Sequence, residues 1–364
     1  MKLIIAGGGT GGHVFPAIAI ANAVRALRSD TEILFVGAKD KLEMEKVPAA
    51  GYKIEGLWIS GFQRNLSLKN LSFPLKLAHS MIRSRKILST FRPDVVVGVG
   101  GFASGPILKA AAQKGIPVII QEQNSYAGVT NKLLARSAAA ICVAYEGMDK
   151  FFPKDKIILT GNPVRTDVAD IEGKRPEACK LFSLDPNKKT IVVLGGSLGA
   201  LTLNDSVRLA HSFLAKHNDV QLLWQCGKSH FDTFKQSESA RLHNVRIMPF
   251  IERMDLAYAI ADVIVARAGA LTVSELCLVE KPVILVPSPN VAEDHQTKNA
   301  LSLVRNNAAL LVIDQDARTN LFPLAHKLLN DKDTCRAMSV QIGLLARPDA
   351  ARDIAQVIIS NANI

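Results

Sequence analysis

Short apolar runs rich in β-branched residues alternate along this chain with longer stretches whose apolar positions return every three or four residues. Leu3-Ile4-Ile5 and Ile191-Val192-Val193-Leu194 are of the first kind. They are too short for a helix and unbroken by polar residues, so they predict strands of a parallel sheet buried on both faces. Ile18, Ala21, Val24 and Leu27 are of the second kind and predict a helix laid against such a sheet. The same reading places strands at 2–6, 32–36, 95–99, 118–121 and 140–143. In the second half it places them at 156–160, 190–194, 220–225, 245–248, 263–265, 283–286 and 309–313. Helical stretches separate most of these, as parallel βαβ units require.

Two of the predicted strands run straight into glycine turns, Ala6-Gly7-Gly8-Gly9-Thr10-Gly11-Gly12-His13 and Leu194-Gly195-Gly196-Ser197-Leu198-Gly199-Ala200. A strand, a glycine turn and a helix start together present unpaired backbone N–H groups and the positive end of a helix dipole, which favours an anion such as phosphate. Two such units half a chain apart predict two phosphate-handling domains facing each other across a cleft. The segment 161–176, rich in turn formers, predicts the linker between them. The expected division is therefore 1–163, 164–345 and a C-terminal helix at 346–364 packing back on the first domain. With 364 residues, 48% of them hydrophobic, the chain has core enough for both.

Composition removes several classes. Five cysteines (Cys142, Cys179, Cys226, Cys277, Cys335) without a C-x-x-C pair indicate neither a disulfide framework nor a zinc site, and fit a reducing compartment. The apolar opening ends at glycines before it could form a signal peptide core. No stretch reaches the roughly 18 consecutive apolar residues of a membrane span. Of the net charge of +11, nearly all falls before Val164. Residues 56–93 contain no acid but seven cations, including Lys76, Arg83, Arg85 and Lys86, interleaved with apolar residues such as Phe73. Basic and apolar together suit an anionic membrane surface better than nucleic acid, which would call for stacking aromatics. An amphipathic helix with a solvated basic face fits the same composition.

Gly7, Gly9 and Gly12 satisfy the dinucleotide pattern G-x-G-x-x-G, but the second strand ends Phe35-Val36-Gly37 without the acid that would hold a ribose. A cofactor-using module is therefore disfavoured, and a glycine loop for phosphate or carbohydrate remains. Beyond it come Gly100-Gly101-Phe102-Ala103-Ser104-Gly105-Pro106, Glu122-Gln123-Asn124, Gly161-Asn162-Pro163-Val164-Arg165, Gly195-Gly196-Ser197 and Gly269-Ala270-Leu271-Thr272-Val273-Ser274-Glu275. With Gly8-Gly9-Thr10-Gly11-Gly12-His13-Val14-Phe15-Pro16 these resemble, in order, the motifs of the MurG family of peptidoglycan N-acetylglucosaminyltransferases, which make lipid II from lipid I.

The resemblance implies an α/β GT-B glycosyltransferase of two Rossmann-like domains. It would move N-acetylglucosamine from UDP-N-acetylglucosamine to the undecaprenyl-linked acceptor with inversion, without cofactor or metal, as a peripheral protein on the cytoplasmic face of the inner membrane. Other proteins of wall synthesis are further partners it allows. Two Asp-x-Asp sequences, at 314–316 and 331–333, read as surface turns. By the same resemblance Glu275 holds the ribose hydroxyls, and Ser197 with the Ala270, Leu271 and Thr272 backbone cradles the diphosphate. The main chain of Ile251 meets uracil, Arg165 and Gln296 bind the donor, and Thr10, Gly11, Gly12 and Asn124 complete the donor set. Gly9, Gly11, Gly101 and Ser104 belong to acceptor pyrophosphate loops. His13 is the expected base, with Glu122 competing as base or as a structural acid beneath the loop. His295, Ala268 and Phe102 depart from residues found in other members. A UDP-N-acetylglucosamine 2-epimerase of the same fold is the alternative, against which the basic apolar stretch argues.

Overall fold

In the computed structural model of the chain, residues 1–61, 72–164, 166–196 and 198–363 are described. Among them the first sheet comprises β1 (Lys2–Ala6), β2 (Glu32–Ala38), β3 (Lys53–Leu57), β4 (Val95–Gly98), β5 (Val118–Glu122), β6 (Ala140–Val143) and β7 (Ile157–Leu159). The second comprises β8 (Lys189–Leu194), β9 (Val220–Gln225), β10 (Val245–Met248), β11 (Val263–Ala266), β12 (Val283–Leu285) and β13 (Leu310–Leu311). Every pairing is parallel, in the orders β3-β2-β1-β4-β5-β6-β7 and β10-β9-β8-β11-β12-β13. Leu3, Ile4, Ile5 and Val95–Val97 have no exposure, which is why those strands carry no polar alternation.

The two sheets share one topological device. The chain leaves β1 in one direction to β2 and β3 and returns to β4 on the other side; in the second sheet it does the same about β8 and β11. At such a reversal the connections diverge, and the carboxyl ends of the two central strands open a crevice in which ligands bind. The two glycine turns follow β1 and β8, so each stands at the switch point of its own sheet.

Strand β3 is missing from the sequence reading. It is an edge strand, Lys-Ile-Glu-Gly-Leu, half-buried and interrupted by glycine, and its partner β2 rather than its own pattern holds it extended. Strand β13 is shorter than its apolar run, because β12 offers it only Ile284 and Leu285 before the chain turns into the 3₁₀ segment Asp314–Asp316.

The chain separates into a unit of Met1–Val164 with Arg347–Ile364 and a unit of Arg165–Ala346. In the first unit the Ala350–Ser360 helix lies on the Gly11–Leu27 helix, and Ile354, Ala355 and Ile358 join the core formed by Ile20, Ala21 and Val24. Gly161 admits this returning segment: its φ is +86°, and a Cβ there would stand 2.5 Å from Cβ of Arg347. All five cysteines are free, and four are buried.

Candidate active site

In the first unit the turn after β1 is set by glycine geometry. Gly9 has φ +91°, a conformation costly for other residues, and the chain then extends at Thr10 to start the Gly11–Leu27 helix. Thr10 O accepts from the N–H groups of His13 and Val14, and Thr10 Oγ1 is hydrogen-bonded to His13 Nδ1 at 3.2 Å. The turn after β4 lies against this one. Gly101, at φ +79°, is so close that a Cβ would stand 2.5 Å from Gly8 O, and a Cβ on Gly100 would meet the His13 ring at 3.0 Å. His13, Thr10, Gly11, Gly12 and Gly101 are thus gathered at the carboxyl ends of β1 and β4.

Two residues of the implied acceptor loops are committed elsewhere. The N–H of Gly9 donates to Glu43 Oε2 at 2.9 Å, so this amide is not one a diphosphate can use. Ser104 is buried, and its hydroxyl donates to Gly101 O at 2.9 Å, which turns the side chain inward to brace the loop.

Glu122, at the end of β5, is 2% exposed. Its carboxylate accepts from Asn124 N at 3.1 Å, Gly128 N at 2.9 Å and Asn131 Nδ2 at 2.9 Å. Burial pushes its pKa up, and the hydrogen bonds from Gly128, Asn124 and Asn131 oppose that rise. Of its two expected roles, the structure displays the acid that pins the 124–131 loop. Next to it Gln123 donates to Val99 O at 2.7 Å and Asn162 donates to Gln123 O at 3.0 Å, an internal layer that ties β4, β5 and the 161–163 turn together.

In the second unit the turn after β8 is held by long-range bonds. Gly195 N donates to Gln225 O, and Asn204 donates to Cys226 O while accepting from Trp224 Nε1, each side-chain bond at 2.9 Å. After β11, Gly269 caps the Ala270–Val279 helix in an extended conformation, which leaves the helix start, with Ala270, Leu271 and Thr272, at the sheet's switch point. Glu275 is one turn further on, half-buried, and its Oε2 accepts from the hydroxyl of Tyr258 at 3.1 Å. Tyr258 is buried; that burial and the neighbouring carboxylate both raise its pKa, so it stays protonated as a donor.

Two other implied donor residues have part of their polarity used internally. Ile251 N donates to Gln225 Oε1 at 2.9 Å, leaving its carbonyl as the main-chain group for a base. Gln296 Oε1 accepts from Ser288 N at 2.9 Å, which leaves Nε2 for a sugar. Arg165 and Ser197 lie outside the described residues. Thr10, Gly11, Gly12 and Asn124 stand in the first unit, and Glu275, Ile251 and Gln296 in the second.

The Asp-x-Asp segments differ from each other. Asp314 is no surface turn: it is ion-paired with Arg267 and accepts from Thr202 Oγ1 at 2.9 Å, joining the loops after β11 and β13 to the helix Leu201–Leu209. Asp331 is exposed and caps the Lys332–Leu344 helix through Thr334 N at 3.0 Å. Among the described residues His217, Asp219 and His326 form the one cluster with metal-ligand atoms within 4.8 Å. It lies at the amino end of β9, away from the switch point, with its two imidazole rings 4.1 Å apart and tilted by 42°.

The basic stretch is in part the Phe73–Phe91 helix; residues 62–71, with Arg64 and Lys69, lie outside the described residues. Leu75, Ile82, Arg85 and Lys86 recur on one exposed face, Leu75 at 70% and Ile82 at 68% exposure. Arg83 is not a free cation of that face, because it pairs with Glu55 at 2.7 Å. Phe73 is half-buried, and Lys76 bonds Ser60 Oγ at 3.2 Å beside the Trp58 ring.

Residues 3–143 match the glycosyltransferase family 28 N-terminal domain and residues 190–354 its C-terminal domain. The chain is 53% identical over 358 residues to the UDP-N-acetylglucosamine--N-acetylmuramyl-(pentapeptide) pyrophosphoryl-undecaprenol N-acetylglucosamine transferase of Flavobacterium psychrophilum, covering 98% of this chain and 97% of the relative. It is 52% identical over 364 residues to the protein of the same description from Bacteroides thetaiotaomicron, covering 100% and 98%. Among solved structures, MurG of Acinetobacter baumannii superposes with a TM-score of 0.80 at 28% identity over 99% of both chains. UDP-GlcNAc 2-epimerase from Neisseria meningitidis superposes at 0.69 over 99% and 100%, but at 14% identity it shares only the fold.

Proposed function

We infer the reaction from the premise that the chain belongs to glycosyltransferase family 28, among its UDP-N-acetylglucosamine-dependent N-acetylglucosaminyltransferases. It is a hexosyltransferase that moves N-acetylglucosamine from UDP-N-acetylglucosamine to the lipid-linked N-acetylmuramoyl-pentapeptide acceptor. The observation that carries the assignment of parts is that each sheet has its own glycine turn and helix start at its own switch point. One such point suits the diphosphate of the donor and the other the anionic lipid-linked acceptor.

In the second unit, the start of the Ala270–Val279 helix offsets the charge of the UDP diphosphate. Glu275, whose Oε2 accepts from Tyr258, accepts from the ribose hydroxyls. Gln296 Nε2 and the Ile251 carbonyl orient the sugar and the base, with Arg165 and Ser197 as further donor residues. In the first unit His13 takes the proton of the acceptor hydroxyl as it attacks the anomeric carbon from the face opposite UDP. Asn124 binds sugar, and Glu122 holds the loop that carries it.

The acceptor's polyprenyl tail stays in the bilayer, and no described helix is long and apolar enough to cross a membrane. The protein therefore meets the cytoplasmic leaflet through the exposed face of the Phe73–Phe91 helix, with Leu75 and Ile82 entering the interface and Arg85 and Lys86 on anionic headgroups.

Incubation with UDP-N-acetylglucosamine, with and without a lipid I analogue, tests the reaction. UDP release that depends on the acceptor is the expected result. Release or epimerisation of the sugar without acceptor would favour an epimerase and overturn the transfer.

A further inference from the structure

Glu43 is 1% exposed, and no cation pairs with it among the described residues. It begins the short Glu43–Ala49 helix after β2. Its side chain turns back to the sheet, where Oε1 accepts from Ala38 N and Oε2 from Gly9 N, both at 2.9 Å. A carboxylate held this deep is unfavourable unless strong hydrogen bonds offset its lost hydration, and two amides aimed at its two oxygens supply them. Space for it comes from two glycines. A Cβ on Gly8 would stand 2.0 Å from Glu43 Oε1, and one on Gly37 would stand 2.5 Å from its Cγ.

What the carboxylate grips is a pliable backbone of three consecutive glycines. Gly8 O in turn abuts Gly101, and Gly100 lies beneath the His13 ring. We propose that Glu43 is a positioning residue for the transfer: it locks the 7–10 turn to the end of β2 and so fixes where Thr10 and His13 stand above the 100–101 turn. The first glycine turn then works as a mount for His13, with its Gly9 amide bound to protein and not to ligand. This rests on the reading of the first unit as the acceptor side.

Glu43→Gln keeps the shape but can accept only at one oxygen, so one amide faces an NH2. Glu43→Asp keeps the charge but is one methylene short of spanning both amides. Both should lower kcat about ten- to a hundredfold, as displacement of a catalytic group by about 1 Å does. Affinity for UDP, whose base, ribose and diphosphate the proposed function assigns to residues of the other unit, should stay within about twofold, with KM for the acceptor changed less than kcat. Wild-type kcat in Glu43→Gln, or a parallel loss of UDP affinity and of thermal stability in both variants, would overturn the proposal.

Hydrogen exchange gives a readout independent of the reaction. The amides of Gly9 and Ala38 should be protected in the parent and exchange at least about tenfold faster in Glu43→Gln, while β4 and β5 are unchanged. Equal exchange would overturn the clamp. A parent protein with these amides protected but no acceptor-dependent UDP release would instead remove the transfer reading and leave the clamp standing.

Discussion

Tyr258 and Glu275 form a donor–acceptor pair in which the buried hydroxyl helps to orient the carboxylate. If Glu275 meets the ribose, Glu275→Ala should lose roughly 1.5–3 kcal/mol per charge-assisted bond, seen as weaker UDP binding in calorimetry. Tyr258→Phe leaves the carboxylate present but without this hydrogen bond, and its UDP affinity should fall by about tenfold, close to the worth of one such bond. Normal binding by Tyr258→Phe would mean that Glu275 is oriented otherwise. At the other site, His13→Ala should lower kcat by about two to four orders of magnitude, whereas loss of a ground-state contact alone would raise KM. A His13→Ala protein with full kcat and an unaltered pH profile would return the role of base to Glu122, which the structure uses to hold the 124–131 loop.

At the scale of elements, the Phe73–Phe91 helix carries an exposed face that is both basic and apolar. Its charge pattern is refined by the pairing of Arg83 with Glu55, which leaves Arg85, hydrogen-bonded to Gln113, and Lys86 as exposed cations of the helix. Each cation near an anionic leaflet contributes roughly 1 kcal/mol, so Arg85→Glu with Lys86→Glu should release the protein from anionic vesicles at moderate salt. Sedimentation of the variant equal to that of the parent, or equal binding to neutral vesicles, would reject this face. The Met254–Ile260 helix is tied differently, through Asp255 to Arg253 and Lys174. The hydrogen bond from Arg253, then that from Lys174, holds the Asp255 carboxyl well below its ordinary range. A depressed folded pKa contributes stability that is present above the unfolded value of about 3.9 and is lost as pH falls through the folded one. Asp255→Asn should therefore lower the melting temperature at neutral pH, by an amount that shrinks as pH is taken below about 4. A difference constant with pH would show that packing, not charge, is what the substitution removes.

For the whole molecule, the last segment of the chain completes the first unit. Ile354 and Ile358 are without exposure against the Gly11–Leu27 helix, whose first turn carries His13. Removing a buried isoleucine side chain costs about 2–5 kcal/mol, so Ile358→Ala should lower stability by that order in denaturant titrations. If UDP is held by the proposed residues of the second unit, its affinity should persist under conditions where the first unit is still folded. Loss of UDP binding in a folded Ile358→Ala protein would show that the two units are coupled through this helix.

Much of this was legible in the chain itself. Parallel strands buried on both faces announce themselves as unbroken β-branched runs, and glycine turns announce themselves because their backbone is costly for other residues, so two α/β units with anion-suited turns could be read locally. The half-buried edge strand β3 could not, since only pairing with β2 defines it. Nor could the braces of the sites be read. Glu43 reaches Gly9 across 34 positions, Arg267 reaches Asp314 across 47 and Tyr258 reaches Glu275 across 17. Residue type told which groups are able to bind phosphate, sugar or proton. Which of those groups remain available was decided only in three dimensions, because most buried donors and acceptors find a partner and the fold had already given Gly9, Ser104 and the Ile251 amide theirs.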